Sequence, residues 1–215
     1  MTDTPAPAVP AAHDPHAVTD LAMLQSLYGA PSQPSLDKVA RRLSPAYRRW
    51  IGHARFCLLA STGPEGTDCS PRGDDGPVVL IADPGTLLLP DWRGNNRLDS
   101  LRNIVADGRV SLTFLVPGSL NVVRVNGRAR LTRDPELLAR FDRDGRQPRL
   151  VIVIAVGEVY FQCARALMRA RLWESDPPPA DLPTPGAILS EMTAGGLDGA
   201  AYDAEWPTRA RDSMW

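Results

Sequence analysis

The feature that most constrains the fold is a block of short apolar segments separated by tight turns between residues 46 and 175. FCLLAS at 56–61 is followed by TGPEGT, and Asp-Pro-Gly separates VVLIA at 78–82 from TLLLP at 86–90. Short apolar runs bounded by glycine and proline are typical of β-hairpins. Many such strands with few crossover helices predict a mainly β fold with flanking helices, an antiparallel barrel rather than a doubly wound sheet.

The later strands of this block differ in what their two faces carry. RVSLTFLV at 109–116 alternates apolar and polar residues, which predicts a half-buried strand. Arg124 and Asn126 share one face of the next strand with two further arginines, so that face is polar and cationic. RLVIVIAVGEVYF at 149–161 is nearly all apolar, which predicts a strand covered on both faces.

Helices are predicted where the apolar spacing changes from two residues to three or four. In the segment 96–106, one apolar stripe contains Leu98, Leu101, Ile104 and Val105. Two further helices are predicted from Pro135 to about residue 142 and over 163–172. The three together leave the block predominantly β.

Prolines mark the ends of the block, since seven of the 21 lie in residues 1–45 and six in 176–215. Residues 1–19 are predicted to be a disordered tail because they have little to bury. A single domain is predicted over 20–175, with a helical lead-in broken at three prolines, Pro31, Pro34 and Pro45. Residues 176–215 are predicted to be a proline-rich linker and a C-terminal helical extension, with short helices at 186–194 and 197–204.

Charge and composition disfavour several classes of function. With 24 basic and 25 acidic residues the chain lacks the strong positive charge of nucleic-acid-binding proteins. We expect no membrane span, because no run of 18 apolar residues exists, and no signal peptide. Three cysteines without a C-x-x-C pair fit a reducing cytoplasm. Three scattered histidines offer neither a metal site nor a Ser-His-Asp triad.

The densest polar cluster is DWRGNNR, from Asp91 to Arg97, between an apolar strand and a predicted helix. A chain that passes through glycine and asparagine into a helix N-terminus presents free N–H groups and the helix dipole to an anion. Arg93 and Arg97 would add charge-assisted hydrogen bonds to a phosphate. A capped helix with solvated arginines explains the same residues equally well.

Two other polar clusters are less specific. Ser70, Arg72 and Gly73 stand at the end of a strand and can present a hydroxyl, a guanidinium and bare backbone to one ligand, although a charged loop is the simpler interpretation. The strand face with Arg124 and Asn126 either meets water or lines a dimer groove. Cys69, beside Ser70, is expected to be a small buried filler rather than a group near a ligand.

These clusters occur in a recognisable order: FCLLAS, SPRGD, LLLPDWRGNNRLDSLRNI, FLVPG, RVNGRA and YFQCARA…RLW. This order resembles the pyridoxamine 5'-phosphate oxidase-like superfamily, and most of all its bacterial branch of FMN-binding proteins. The resemblance covers about residues 20–205. It implies a split antiparallel β-barrel, noncovalently bound FMN and a homodimer with two flavin sites at the subunit interface.

The resemblance also implies roles for individual residues. The positions that hold the flavin phosphate and ribityl chain in the family are here Ser70, Arg72, Gly73, Pro90, Asp91, Arg93, Asn96 and Arg97. The strand with Arg124 and Asn126 resembles the one that reaches the flavin of the other subunit. Backbone groups of Leu88 and Leu89 would lie beside the flavin ring.

What the resemblance implies about activity is an FMN-dependent oxidoreductase that acts on a small molecule. Pyridoxamine phosphate oxidases carry an Arg…His…Arg signature near the C-terminus, whereas this chain has no histidine after His53. The sequence therefore names neither the substrate nor the electron donor. One alternative is a flavin-binding carrier dimer without catalysis, and another keeps the fold but binds a deazaflavin or haem.

Overall fold

The structure is a computed structural model that describes residues 14–175 and 177–215. One antiparallel sheet of seven strands dominates it, in the spatial order β2-β1-β5-β6-β7-β4-β3. The strands are β1 (Phe56–Gly63), β2 (Gly66–Gly73), β3 (Leu80–Asp83), β4 (Thr86–Asp91), β5 (Arg109–Leu115), β6 (Val122–Thr132) and β7 (Leu150–Gln162). β2 and β3 form the two edges, so the sheet does not close. The predicted mainly β, antiparallel architecture is confirmed.

The described residues also form eight helices. They are α1 (Leu21–Ser26), α2 (Gln33–Asp37), α3 (Pro45–Ile51), α4 (Asp99–Ala106), α5 (Pro135–Ala139), α6 (Arg165–Ala170), α7 (Pro185–Met192) and α8 (Gly199–Asp212). In the part of the chain that the structure describes, none of them has the length and apolar character needed to cross a bilayer. Most of the predicted disordered tail, residues 1–13, lies outside the described residues.

Prolines begin helices in this chain more often than they break them. Pro34 and Pro45 lie within the first two positions of α2 and α3. The first turn of a helix needs no backbone donor, so proline fits there without loss. The lead-in is helical in separate pieces, as predicted, but Pro34 lies inside one piece and Pro45 begins the next. α8 also continues past its predicted end at 204, with Pro207 inside the helix.

The core lies on the inner face of the sheet, where alternate residues of neighbouring strands meet. Leu112 and Phe114 of β5 are fully buried, as the alternation in 109–116 predicted. They pack with buried residues from β1, β4, β6, β7 and α3, including Cys57, Leu59, Leu89, Val125, Ile152, Ile154 and Ile51. The sheet therefore shares one core with α3 and α4.

β7 is covered on both faces only in its first half. Val151, Ile152 and Ile154 are buried, whereas Phe161 is 45% exposed. Phe161 lies on the same face as the buried Val159, and Lys38 Nζ lies 5.0 Å from the centre of its ring. The apolar run therefore predicted more burial than the structure provides.

The pairing of β6 with β7 contains a bulge. Asn126 pairs with Glu158 and Gly127 with Val156, which leaves Gly157 as the extra residue. The two backbones approach closely here, because a Cβ on Gly127 would lie 2.1 Å from the carbonyl oxygen of Ala155. Glycine at 127 is therefore required by space rather than by backbone conformation.

Candidate functional site

Two adjoining clefts open where β2 meets the loop between β4 and α4. The arginine cleft, about 470 Å³, is lined by Asp68, Ser70, Arg72, Arg93, Arg97, Ser100 and Arg149 among others. The tryptophan cleft, about 520 Å³, is lined by Gly73, Val78, Leu89, Pro90, Trp92 and Trp215 among others. Arg72, Trp92, Arg93 and Gly94 line both, so one elongated ligand could occupy the two clefts together.

The polar wall of the arginine cleft follows from the two-residue period of a strand. Asp68, Ser70 and Arg72 alternate along β2 and therefore project from one face. The Asp68 carboxylate accepts hydrogen bonds from Ser70 Oγ at 2.8 Å and from Ser100 Oγ at 2.5 Å. This network ties β2 to the first turn of α4. Sequence reasoning missed Asp68 and Ser100, although the same alternation could have found Asp68.

The opposite wall is the N-terminus of α4, which begins three residues later than predicted. Asn96 and Leu98 both have left-handed backbones, with φ of 60° and 65°, so the helix starts only at Asp99. The Leu98 cap position supplies no side-chain hydrogen bond to the helix. First-turn N–H groups have no acceptor within a helix, and residues 99–101 line the cleft. An anion bound here would meet free donors and the positive end of the dipole.

The apolar stripe predicted for this helix is only half correct. Leu101 and Ile104 are buried, whereas Leu98 is 47% exposed and Val105 is 76% exposed. Leu98 precedes the helix in a left-handed turn, and a side chain there does not share the helical spacing. Two residues rather than four therefore anchor α4 to the core.

An ion pair joins the two clefts. Arg72 Nη1 lies 2.9 Å from Asp91 Oδ1, and the two side chains are only 21% and 13% exposed. The Nε of Arg72 is buried and has no hydrogen-bond partner within the described residues. A buried donor without an acceptor costs about 1–3 kcal/mol. An acceptor atom of a bound ligand would remove that cost.

Positive charge is concentrated in the arginine cleft. Four arginines and three aspartates line it, the aspartates being Asp68, Asp91 and Asp99. Arg97 Nε lies 2.8 Å from Asp99, and Arg149 Nη1 donates to Asn96 Oδ1 at 3.1 Å. Arg93 forms no ion pair with any residue the structure describes, so at least one guanidinium is available to an anion. Sequence reasoning missed Arg149, which the pairing of Asp91 with Leu150 brings to this cleft.

The tryptophan cleft contains apolar surface and a small acidic group. Leu89, Pro90 and Val78 form its buried floor. Trp92 Nε1 donates to Asp74 at 3.2 Å. Burial raises the pKa of Asp74, whereas a hydrogen bond from Arg143 lowers the pKa of its neighbour Asp75. The apolar floor of the tryptophan cleft would attract a ring, whereas the arginines of the arginine cleft would attract an anion.

The structure brings nine of the eleven predicted cofactor residues to these clefts. Ser70, Arg72, Asp91, Arg93, Asn96 and Arg97 line the arginine cleft, and Gly73, Leu89 and Pro90 line the tryptophan cleft. Arg124 and Asn126 line neither cleft. Asn126 donates to Glu158 at 2.7 Å, and the Arg124 guanidinium lies 5.5 Å from the centre of the Tyr160 ring. The Nε of Arg124 is buried without a hydrogen-bond partner in the described part of the chain.

The three cysteines differ in exposure. Cys57 is buried opposite Arg72 in the β1–β2 pairing, and burial raises the pKa of its thiol to about 12. It therefore stays protonated and unreactive. Cys69 and Cys163 are exposed, so the expectation that Cys69 is buried was wrong. Cys69 alternates with Ser70 on β2 and faces away from the core.

The described residues contain no group of histidine, cysteine, aspartate and glutamate able to hold a metal ion.

Comparison with known proteins identifies a family. The family described as Pyridoxamine 5'-phosphate oxidase matches residues 43–163. No curated protein matches the chain. Similar solved structures include HupZ of Group A Streptococcus, with 13% identity, a TM-score of 0.47 and coverage of 57% of this chain and 96% of that one.

Two further structures have comparable similarity. General Stress Protein 26 of Bacillus anthracis has 13% identity and a TM-score of 0.40, with coverage of 53% of this chain and 88% of that one. An FMN-binding protein of Syntrophomonas wolfei has 10% identity and a TM-score of 0.40, with coverage of 53% and 86%. The family match itself covers 121 residues, 43–163, which contain both walls of the arginine cleft.

Proposed function

Because the chain belongs to the pyridoxamine 5'-phosphate oxidase family, we propose that it binds FMN noncovalently and acts as an FMN-dependent oxidoreductase. Its open, seven-stranded antiparallel sheet with flanking helices is the split-barrel fold of that family. The observation that carries the proposal is the buried Nε of Arg72, which has no acceptor in the described chain and stands between the two clefts.

The residues of the arginine cleft fit a phosphate group. Arg93 has no acidic partner in the described chain, and the first turn of α4 offers free N–H groups to the same space. A phosphate would compete with Asp99 for Arg97, whose side chain is 75% exposed. Exposed ion pairs are worth about 0–1 kcal/mol, so this exchange costs little. Ser70 and Asn96 would supply neutral hydrogen bonds.

The tryptophan cleft fits the ring of the same ligand. Its apolar floor, with Leu89 and Pro90, suits a flat aromatic surface, and Arg72 stands where the two clefts meet. When bound, FMN would supply the hydride and electron transfer, for which side chains alone have no equivalent. The protein would hold the phosphate, orient the ring and exclude water from one of its sides.

The first test is whether the protein carries flavin. We expect purified protein to be yellow and to release FMN on heating, as identified by mass spectrometry. Arg97→Ala is expected to weaken FMN binding by about 1.5–3 kcal/mol, the value of a hydrogen bond to a charged group. Because Arg97 is exposed, the thermal midpoint should not change.

A matched control for this variant is Arg133→Ala, which removes an exposed arginine outside both clefts. It should bind FMN as the wild type does in a fluorescence titration. A colourless wild-type protein that takes up no FMN would refute the proposal. Equal affinity in Arg97→Ala and wild type would place the phosphate elsewhere.

We also propose a homodimer formed through the outer face of the sheet, with two flavin sites at the interface. Phe56 and Leu58, which alternate with buried residues of β1 and so lie on its outer face, are both 37% exposed. On the same face, two strands away on β6, the Nε of Arg124 is buried without a partner in the described chain, and Asn126 lies two residues further along. In the dimer, Arg124 and Asn126 of one subunit would reach the flavin of the other. The apolar exposure would then be covered by the second copy.

The dimer is testable by thiol labelling, because Cys69 lies on the same outer face. Sedimentation should give twice the mass of the chain. Iodoacetamide should modify Cys163 quickly, Cys69 slowly and Cys57 not at all, since Cys57 is buried with a raised pKa. A monomer that binds FMN, with Cys69 labelled as fast as Cys163, would contradict the interface.

We also propose a reducing, cytoplasmic location, which the three free thiols support.

A carrier without catalysis remains the second candidate, favoured by the position of the histidines. Among the described residues, neither cleft is lined by a histidine. His53, the last histidine of the chain, follows α3. Anaerobic mixing with NADH and with NADPH separates the two candidates. Reduction of the bound flavin supports the oxidoreductase, whereas tight binding without reduction by any donor supports the carrier.

A further inference from the structure

We propose that Trp215 is one wall of the site that receives the planar ring of the flavin, so that the segment after α8 is part of the ligand site. The inference rests on the proposed function, but it concerns a residue far outside the family match, which ends at residue 163. Neither the family match nor the sequence pattern assigns a role to Trp215. The contacts of its indole ring do.

Trp215 lies against Trp92 in the tryptophan cleft. The two ring centres are 5.3 Å apart and the ring planes meet at 83°, which is the edge-to-face arrangement that aromatic pairs prefer. Met214 lines the same cleft, so the segment after α8 places two consecutive apolar side chains against the body of the protein. Trp92 belongs to the DWRGNNR segment, and the contact therefore connects α8 directly to the loop that forms the arginine cleft.

Arg143 holds this aromatic pair in position. Its guanidinium carbon lies 4.2 Å from the centre of the Trp215 ring and 5.6 Å from that of Trp92. The guanidinium also forms ion pairs with Asp74 and Asp75, and the Asp74 side chain is only 5% exposed. Arg143 does not line the cleft itself. It therefore supports the indole of Trp215 from behind, and the remaining indole surface is available to a ligand.

The space that remains beside Trp215 suits a ring. The cleft measures about 520 Å³ with Trp215 in place, within the range of small-molecule sites, so a ligand need not displace the side chain. Leu89 and Pro90 form the floor opposite the two indoles. Since Arg72 and Arg93 connect this cleft to the arginine cleft, the matching ligand has an anionic end and a planar aromatic end. FMN has this form.

Riboflavin isolates the ring from the phosphate and is therefore the decisive probe. Loss of a stacking surface weakens binding by about tenfold. We expect Trp215→Ala to weaken both riboflavin and FMN by about this factor, and Trp215→Phe to keep most of the affinity. Flavin fluorescence should be quenched on binding to wild type and less quenched on binding to Trp215→Ala. Arg97→Ala, in contrast, should weaken FMN and leave riboflavin unchanged.

Trp206→Ala is the matched control, because Trp206 lies on α8, is 49% exposed and stacks on Tyr202 instead of lining either cleft. It should bind both flavins as wild type does, and thermal unfolding should confirm that all four variants fold. If Trp215→Ala binds riboflavin with wild-type affinity, the role of Trp215 is refuted while the proposed function stands. If wild type binds neither flavin, the proposed function is refuted, and this inference with it.

Discussion

Replacing Arg72 by alanine is expected to lower the free energy of unfolding by about 3 kcal/mol and to weaken FMN binding by about 1.5–3 kcal/mol. The first effect arises because the Asp91 residue is only 9% exposed and would lose the cation 2.9 Å away. A buried carboxylate without a partner is one of the larger single costs in a protein. The second effect arises because Arg72 reaches both clefts.

The two effects can be separated by a second substitution. In Arg72→Ala/Asp91→Ala the buried charge is gone, so most of the stability should return in a urea titration. FMN affinity should stay low, because the guanidinium is still missing. Arg72→Ala with an unchanged unfolding midpoint would show that the pair contributes nothing. Recovery of FMN affinity in the double variant would show that Arg72 only neutralises Asp91.

Replacing Gly127 by alanine is the other change with a large expected effect, about 3 kcal/mol of destabilisation. The added Cβ would lie 2.1 Å from the carbonyl oxygen of Ala155 and 3.1 Å from its carbon. Both atoms are backbone, so no side-chain rotation can relieve the clash. β6 and β7 would have to separate at the bulge, which also holds the hydrogen bond between Asn126 and Glu158.

A matched strand glycine is Gly73 of β2, where a Cβ would meet its nearest neighbour, Phe56, at an ordinary 3.7 Å. Gly73→Ala should change the free energy of unfolding by no more than about 0.5 kcal/mol. Chemical denaturation of both variants measures the difference directly. A Gly127→Ala variant as stable as Gly73→Ala would mean that the strands are less close at the bulge than described.

Part of the candidate site follows from local pattern. Ser70 and Arg72 alternate along a strand that the preceding turn residues predict. DWRGNNR lies between a strand and a helix, as predicted. The same alternation extends to Asp68, which a closer application of the rule would have included. Alternation along one strand cannot predict the ion pair of Arg72 with Asp91. That pair depends on how β2 and β4, which are not neighbours in the sheet, approach each other.

Burial was predicted less well than strand position. The apolar run of β7 predicted cover on both faces, and the described chain leaves Phe161 45% exposed. An apolar run predicts that a strand is buried, but it does not say whether the same chain or a second copy of it provides the covering surface. The same reasoning applies to Cys69: alternation along β2 puts it on the face opposite Ser70 and Arg72, but does not say whether that face is covered.

By itself, the sequence determined the strands, their hairpins and the polar loop before α4, because turn chemistry and side-chain periodicity act over a few neighbouring residues. Only the tertiary structure decided that Arg149 reaches Asn96 through the pairing of β4 with β7, and that Trp215 returns to Trp92 and Arg143. These contacts join residues far apart in the chain. They form only when the packing of strands and helices brings distant segments of the chain together, and no pattern of neighbouring residues predicts that.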